Sequence, residues 1–319
     1  MEIHFTFYAV ATGVIKLFIL MSLGYAVYGA KMVDDGFVDK LSLLLVRVMF
    51  PCLIISKTVT YFSFREYAYW WVLPVCAVGF SIAGMAIGAL VLRFFRGFRS
   101  PREFMCASGF QNCGYLPMNL ILFSFCGAIA DRLLIYMFLF IVGFNLLMWS
   151  IVPLFLAGEL RKSFRWQVLF NPPVVATVLS LLWVAVFGKG TMPGLIMAPA
   201  RQLGQASFPI AMLTLGAYLC RYRAHIPLNK SPIIAVMIIK LLVFPLMVLA
   251  LLLLIPIRND YRFFLFIQAI MPTAVSLVVI GAYTGADNRF ISSIIFYSHL
   301  AAIITIPLWL EIFHMIFKT

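Results

Sequence analysis

Residues 103–119 read EFMCASGFQNCGYLPMN, and this stretch indicates an interrupted helix because it places polar residues and a proline inside an apolar segment. Four polar residues follow the spacing i, i+3, i+4, i+7 and would lie on one helical face: Ser108, Gln111, Asn112 and Tyr115. A polar face is costly in lipid, so it is expected to look into protein or a cavity. Pro117 cannot donate a backbone hydrogen bond, and Gly114 weakens the helix before it. The sequence predicts a broken helix with free backbone groups beside Asn112.

A second stretch, residues 268–285, reads QAIMPTAVSLVVIGAYTG and repeats the pattern, because Pro272 stands 155 positions after Pro117. Positions 268, 272 and 276 are expected to share a helical face, with hydroxyls at Thr273 and Ser276. A similar echo joins Phe50-Pro51 to Phe208-Pro209, 158 positions later, and a helix break is expected at each of these prolines. Paired interrupted helices that meet near the bilayer midplane are typical of transporters built from repeats.

The composition indicates a polytopic all-α membrane protein, since 64% of the 319 residues are hydrophobic and 11% are charged. Hydropathy predicts ten spans, at 8–29, 38–57, 70–93, 103–125, 133–157, 167–188, 203–220, 232–255, 262–284 and 290–316. Five spans per half is an odd number, so the second half enters the membrane in the opposite orientation. The sequence therefore predicts two inverted repeats, residues 1–160 and 161–319, joined near 158–165.

The formal net charge of +13 does not indicate nucleic-acid binding, because the cations are scattered through short loops. Their distribution predicts topology instead, with thirteen Lys and Arg residues in one set of loops and eight in the other. The richer side is assigned to the cytoplasm. An inner (plasma) membrane location with both termini outside the cytoplasm follows.

The charges within the predicted spans indicate the sign of the ligand. Three cations, Lys16, Arg47 and Lys240, fall at mid-span, and none of the eleven acidic residues does. Such cations either bond the carbonyl ends of broken helices or serve an anion. Lys240 is the strongest candidate, and Arg47, one turn before Pro51, is expected to reach the same cavity. Lys16 is expected to extend its ammonium to the membrane surface.

This chain lacks the motifs of several classes of protein. No GxxxxGK[ST] loop and no GxSxG elbow is present, and no pair of acids lies within the spans. The four histidines are far apart in sequence, and His299 is interpreted as a packing residue, with a functional role as the alternative. The six cysteines are interpreted as small buried apolar residues. The chain is therefore predicted not to be an enzyme and to need no cofactor and no metal.

Three motifs in order, Asn112-Cys-Gly-Tyr-Leu-Pro117, Lys240-Leu-Leu-Val-Phe-Pro245 and Met271-Pro272-Thr273, give the chain a recognisable pattern. With the ten spans in two fives, it resembles the auxin efflux carrier (AEC) family, which includes plant PIN proteins and bacterial permeases. The short loop at 158–165 replaces the large cytoplasmic loop of long plant members, which suggests a bacterial-type or short member.

The resemblance implies the fold of bile acid/sodium symporters, with spans 1, 2, 6 and 7 as a scaffold and spans 3–5 and 8–10 as a mobile transport domain. Broken spans 4 and 9 would cross at the site, and elevator-like movement would expose it alternately. Family members often form dimers, and their substrates are typically organic anions such as auxin or malate. Where those symporters place an acidic residue near the second crossing, this chain has Gln268 and Thr273, so sodium coupling is not expected.

The leading hypothesis is a secondary transporter of small carboxylates in the lipid bilayer. Its substrate-binding candidates are Asn112, Gln111, Gly114, Tyr115, Pro117, Pro272, Thr273, Ser276, Lys240 and Arg47. The alternative is a membrane receptor that binds an organic anion without moving it.

Overall fold

The computed structural model describes residues 7–158, 172–222 and 230–317, and the regular structure in these ranges is helical. The α-helices are α1 Phe7–Gly29, α2 Asp35–Leu44, α3 Phe50–Tyr61, α4 Val72–Leu92, α5 Pro101–Gly109, α6 Tyr115–Ser124, α7 Gly127–Leu146, α8 Val152–Ala157, α9 Pro172–Phe187, α10 Gly194–Tyr222, α11 Ser231–Ile238, α12 Phe244–Leu254, α13 Asn259–Ala269, α14 Ser276–Thr284 and α15 Asn288–Phe317. The predicted repeat boundary at 160/161 lies outside the described residues.

Five helical stretches within the described ranges are long and apolar enough to cross a bilayer: Val72–Leu92, Gly127–Ala157, Gly194–Arg221, Ser231–Leu254 and Asn288–Phe317. Shorter apolar helices cover Ile15–Gly29, Tyr115–Ser124 and Pro172–Phe187. The stretch Ser231–Leu254 has an exposed apolar surface. Three of its side chains are about half exposed: Leu242, Leu246 and Leu253. Such a surface needs lipid to cover it. The chain is a polytopic helical membrane protein.

Within the described ranges, three five-residue π-helical segments interrupt the long helices, and each ends two residues before a proline. They are Leu45–Met49 before Pro51, Leu147–Ile151 before Pro153 and Ile239–Val243 before Pro245. A proline ring clashes with the carbonyl four residues earlier, and the wider turn relieves that clash. The carbonyl of Leu241, which Pro245 cannot reach with a hydrogen bond, accepts one from the indole Nε1 of Trp309 at 2.8 Å.

The break expected at Pro209 is wrong, because α10 runs continuously from Gly194 to Tyr222 through both Pro199 and Pro209. Pro51 likewise lies inside a helix, as the second residue of α3. The Phe-Pro echo therefore marks two helices that continue past their prolines.

The two predicted broken helices are present, with corrected break points. α5 ends at Gly109 and α6 begins at Tyr115, so the break precedes Pro117. Pro117 is the third residue of α6, where a missing backbone N–H costs little because the first turn has no intrahelical acceptor for it. α13 ends at Ala269 and α14 begins at Ser276, so Pro272 stands in its break.

These break points overturn both expected polar faces. Gln111 and Asn112 lie in an extended segment, so they do not share a helical face with Ser108. Gln268 is helical whereas Pro272 is not, so positions 268, 272 and 276 do not form a face either.

The helices pack in two groups. In one, α1 packs on α10, and α3 packs on α9 and α10. In the other, α4 packs on α5 and α7, and α15 packs on α11 and α14. α6 and α15 also contact α1, so the groups share an interface beside the two breaks.

Candidate functional site

The two breaks cross and hydrogen-bond to each other as a short antiparallel pair. The backbone N–H of Asn112 donates to the carbonyl of Pro272 at 2.8 Å, and the N–H of Ala274 donates to the carbonyl of Phe110 at 3.0 Å. Gln111 and Thr273 face each other at the centre of this pair. The crossing therefore satisfies backbone groups that a broken helix would otherwise leave unpaired inside the membrane.

A cavity of about 810 Å³ opens beside this crossing. Its inner wall contains the first break and the N-terminal ends of α6 and α14, represented by Gly114, Tyr115, Val275 and Ser276. Its other walls come from α2, α3, α7, α10 and α15. Because a helix N-terminus carries a partial positive charge, two of them on one wall attract negative charge.

Gln111 is fully buried on the cavity wall, and Lys240 lies behind it. The Lys240 ammonium donates to Gln111 Oε1 at 3.4 Å and to the carbonyl of Ser108 at 3.5 Å, and it lies 5.1 Å from the ring centre of Phe244. The lysine thus holds the amide oxygen of Gln111 on its own side, while the buried N–H₂ group has no partner among the described residues.

No acidic side chain in the described ranges contacts Lys240, which is itself fully buried. A buried cation without a carboxylate partner is costly, and the Gln111 amide oxygen and the carbonyl of Ser108, at the C-terminal end of α5, offset part of that cost.

Asn112 also lines the cavity and is only 3% exposed. Its Nδ2 lies 3.1 Å from Nε2 of the buried His299, and its Oδ1 accepts from the N–H of Leu116 at 3.4 Å. The side chain therefore connects α15 to the first turn of α6.

The structure brings five of the predicted site residues to the cavity wall and leaves five away from it. Those on the wall are Gln111, Asn112, Gly114, Tyr115 and Ser276. Pro117, Pro272 and Thr273 are buried at or near the crossing without lining the cavity, and the Thr273 hydroxyl donates to the carbonyl of Ala107 at 3.1 Å. Lys240 acts only from behind Gln111.

The expectation that Arg47 reaches the cavity is wrong, because its side chain is exposed and does not line it. Arg47 is the middle residue of the π-helical segment Leu45–Met49, where the wider turn changes the direction of each side chain relative to a regular helix. The neighbouring Val46 and Phe50 line the cavity in its place.

Sequence reasoning missed the polar mouth of the cavity. Asp35 and Asp39 both pair with Arg221, at 3.3 and 2.9 Å, and Tyr218 donates to Asp39. Their positions in sequence are loop-proximal and carry no motif, so only the packing of α2 against α10 could place them together. The contact of His299 with Asn112 could not be predicted for the same reason, since the two residues lie 187 positions apart.

The described residues contain no group of three or more His, Cys, Asp and Glu side chains arranged to hold a metal. The polar groups of the inner wall are amides and helix N-termini, and most of the remaining lining is apolar.

Comparison with models of known protein families shows the family to which this chain belongs. A family model described as a membrane transport protein matches residues 9–164 and again 157–310. The chain belongs to this family, the auxin efflux carrier family. The protein is therefore a membrane transporter of a non-enzymatic family. No individual curated protein matched the chain.

Proposed function

We propose that this family member is a secondary transporter of small organic anions and that a substrate carboxylate binds where the two broken helices cross. The observation that carries the proposal is the cavity wall, where the N-termini of α6 and α14 meet the unpaired amide donor of Gln111. Each of these groups donates hydrogen bonds or carries partial positive charge, which suits a carboxylate and opposes a cation.

The charge around the cavity supports the same sign. Lys240 adds a buried cation behind the wall, whereas the acids of the cavity, Asp35 and Asp39, stand at its exposed mouth. Arg221 pairs with both of these acids and reduces their repulsion of an approaching anion.

We further propose ten spans in two inverted repeats. Helices α5 and α6 would form one broken span and α13 and α14 the other, and the π-helical segments would join α2 to α3, α7 to α8, and α11 to α12. With the N-terminus outside, the mouth at Asp35 and Arg221 faces the cytoplasm, because the Lys- and Arg-rich loops lie on that side. The cavity would then be open inward.

An elevator mechanism is the proposed route of alternating access. The group of α1, α2, α3, α9 and α10 would be the scaffold, and the remaining helices would carry the crossing. The partly buried ion pair of Lys57 on α3 with Asp131 on α7 joins the two groups. This pair would hold the inward-open arrangement and would have to separate as the transport domain moves. We propose a homodimer in the plasma membrane as the working unit.

Transport assays with purified protein in liposomes test the proposal. Labelled L-malate and indole-3-acetate are offered under imposed ion and substrate gradients, and wild type should move at least one of them. Asn112→Ala should abolish that flux, because it removes the side chain that joins the cavity wall to α15. Asn259→Ala is the matched control, since Asn259 is exposed at the start of α13 and should leave flux unchanged.

Three results would count against the proposal in different ways. Undiminished flux in Asn112→Ala would show that the carboxylate does not bind at the crossing. Saturable binding of a probe with no flux under any gradient would favour a receptor. Absence of both binding and flux for either carboxylate would overturn the substrate class.

A further inference from the structure

His299 occupies a position that the proposed carboxylate site does not by itself require. It is fully buried on α15, directly behind Asn112. Its Nδ1 lies 2.8 Å from the carbonyl oxygen of Ile295, and its Nε2 lies 3.1 Å from Asn112 Nδ2. Both ring nitrogens are thus engaged, one with an acceptor and the other with an amide.

These contacts fix the positions of the protons. A backbone carbonyl only accepts hydrogen bonds, so Nδ1 must carry the hydrogen of the neutral imidazole. Nε2 is then a lone-pair acceptor and must receive a hydrogen from Asn112 Nδ2. The Asn112 amide oxygen consequently faces the other way, where it accepts from the N–H of Leu116.

We propose that His299 binds a proton when a carboxylate enters the cavity and that the Asn112 amide turns over in response. A proton on Nε2 would put two N–H donors face to face, at His299 and Asn112. Rotation of the amide removes that conflict, because Asn112 Oδ1 then accepts from Nε2–H. The proton comes from solvent through the cavity, and no covalent bond other than the new N–H forms.

The rotation changes what α6 offers to a ligand. Asn112 Oδ1 leaves the N–H of Leu116, so a backbone donor in the first turn of α6 loses its partner. The rotated Asn112 Nδ2 then stands where Oδ1 stood, so it and the N–H of Leu116 are two donors without an acceptor. A carboxylate oxygen next to Gly114 and Tyr115 on the cavity wall can accept from both. The anion also compensates the new imidazolium charge. Carboxylate binding and protonation therefore favour each other, which makes His299 the residue that couples the two.

The charged and titratable groups on the surrounding elements leave this role to His299. Lys240, on the π-helical segment packed against α15, lies at the crossing, and its ammonium form opposes a second positive charge on His299 until an anion arrives. Cys113 is a buried thiol in the first break. Further groups on the packed helices have other partners or are exposed. Glu103 of α5 accepts from the N–H of Asp287, and Lys16 of α1 and Arg201 of α10 are exposed. At the mouth, Tyr218 and Arg221 of α10 bond Asp39 and Tyr28 of α1 bonds Asp35, while Cys106 and Cys220 are buried thiols.

The first test needs no ligand. Nitrogen NMR of histidine-labelled protein reports which ring nitrogen carries the hydrogen, and His299→Gln identifies the signal by its loss. The prediction is a neutral ring at neutral pH with hydrogen on Nδ1. Hydrogen on Nε2 instead would reverse the Asn112 bond and overturn the inference.

The second test measures linkage and rests on the proposed function. Binding of L-malate and indole-3-acetate to wild type should tighten about tenfold per unit fall in pH while His299 titrates, with about one proton taken up per ligand. His299→Gln keeps an amide oxygen for Asn112 Nδ2 but cannot bind a proton, so its affinity should lose the pH dependence. His314→Gln, on the same helix, should behave as wild type.

The outcomes separate the two proposals. Binding that is independent of pH in wild type, or a pH dependence retained in His299→Gln, overturns the role of His299 and leaves the carboxylate site standing. Failure of both probes to bind wild type at any pH overturns the site, while the tautomer measurement still decides the state of His299.

Discussion

Gly84→Ala is predicted to displace the end of α5 and so to disturb the crossing. A Cβ added at Gly84 would lie 2.7 Å from both the Cα of Gly109 and the carbonyl oxygen of Ser108, whereas ordinary contacts are 3.4–4 Å. Both atoms belong to backbone, so α4 and α5 must separate by roughly 0.7 Å, the shortfall from 3.4 Å. Overpacking of this kind costs about 1–3 kcal/mol.

Gly79→Ala is the matched control because it makes the same substitution in the same helix with no atom within 4 Å of the new Cβ. It should be neutral or stabilising by about 0.5–1 kcal/mol, the ordinary gain of alanine over glycine inside a helix. The thermal melting temperature of each variant in detergent, followed by intrinsic fluorescence, measures the difference.

The functional consequence of Gly84→Ala follows from the atoms it displaces. The Ser108 carbonyl accepts a hydrogen bond from Lys240, and Gln111 lies three residues further along the chain. Carboxylate affinity should therefore fall in Gly84→Ala and stay unchanged in Gly79→Ala. Equal melting temperatures for the two variants would contradict the close packing of α4 on α5 and the loss of affinity expected from it.

Three further predictions concern individual contacts. Trp309→Phe leaves the buried carbonyl of Leu241 without its donor and should lower stability by about 1–3 kcal/mol, measured by melting. Removing either member of the Lys57–Asp131 pair should shift the population away from the inward-open state about fivefold, for a pair worth about 1 kcal/mol. The rate at which a reagent labels a cysteine placed on the cavity wall measures this shift. Exchanging the charges, by Lys57→Asp together with Asp131→Lys, should restore the wild-type labelling rate, and failure to do so would contradict the prediction. Gln111→Glu should weaken carboxylate binding at least tenfold by calorimetry, because it replaces the free amide donor with a like charge; unchanged affinity would exclude this donor.

Of the four helix breaks that the sequence predicted, the two near Pro117 and Pro272 occur, and those at Pro51 and Pro209 do not. Proline and glycine located the two real interruptions to within a few residues, but proline alone does not decide whether a helix ends. The break nevertheless falls before Pro117, since a proline is well accommodated in a first turn and the extended segment at Gln111 gains backbone bonds from the other break. Those bonds join residues about 160 positions apart, which no local rule contains.

The candidate site was predictable to the same degree. The polar residues of the first break, Gln111 and Asn112, were recognised because amides are costly in a bilayer. Arg47 was misplaced because the argument assumed a regular helix, and a π-helical turn separates it from the cavity. His299 was read as a packing residue because its partner, Asn112, is remote in sequence and its ring is buried as packing residues are.

The π-helical segments have a consequence for how the length of this chain can change. Each holds one residue more than a regular helix fits into the same turn, so deleting a residue there, such as Leu242, lets the helix close up with its flanks in place. A deletion elsewhere in the same span rotates everything beyond it by about 100° and turns the buried face toward lipid. Beside Pro51, Pro153 and Pro245 a one-residue deletion therefore brings back the proline clash but keeps the rest of the span in register, which a deletion elsewhere does not. Related chains that differ by single residues within these helices are expected to differ at these three places.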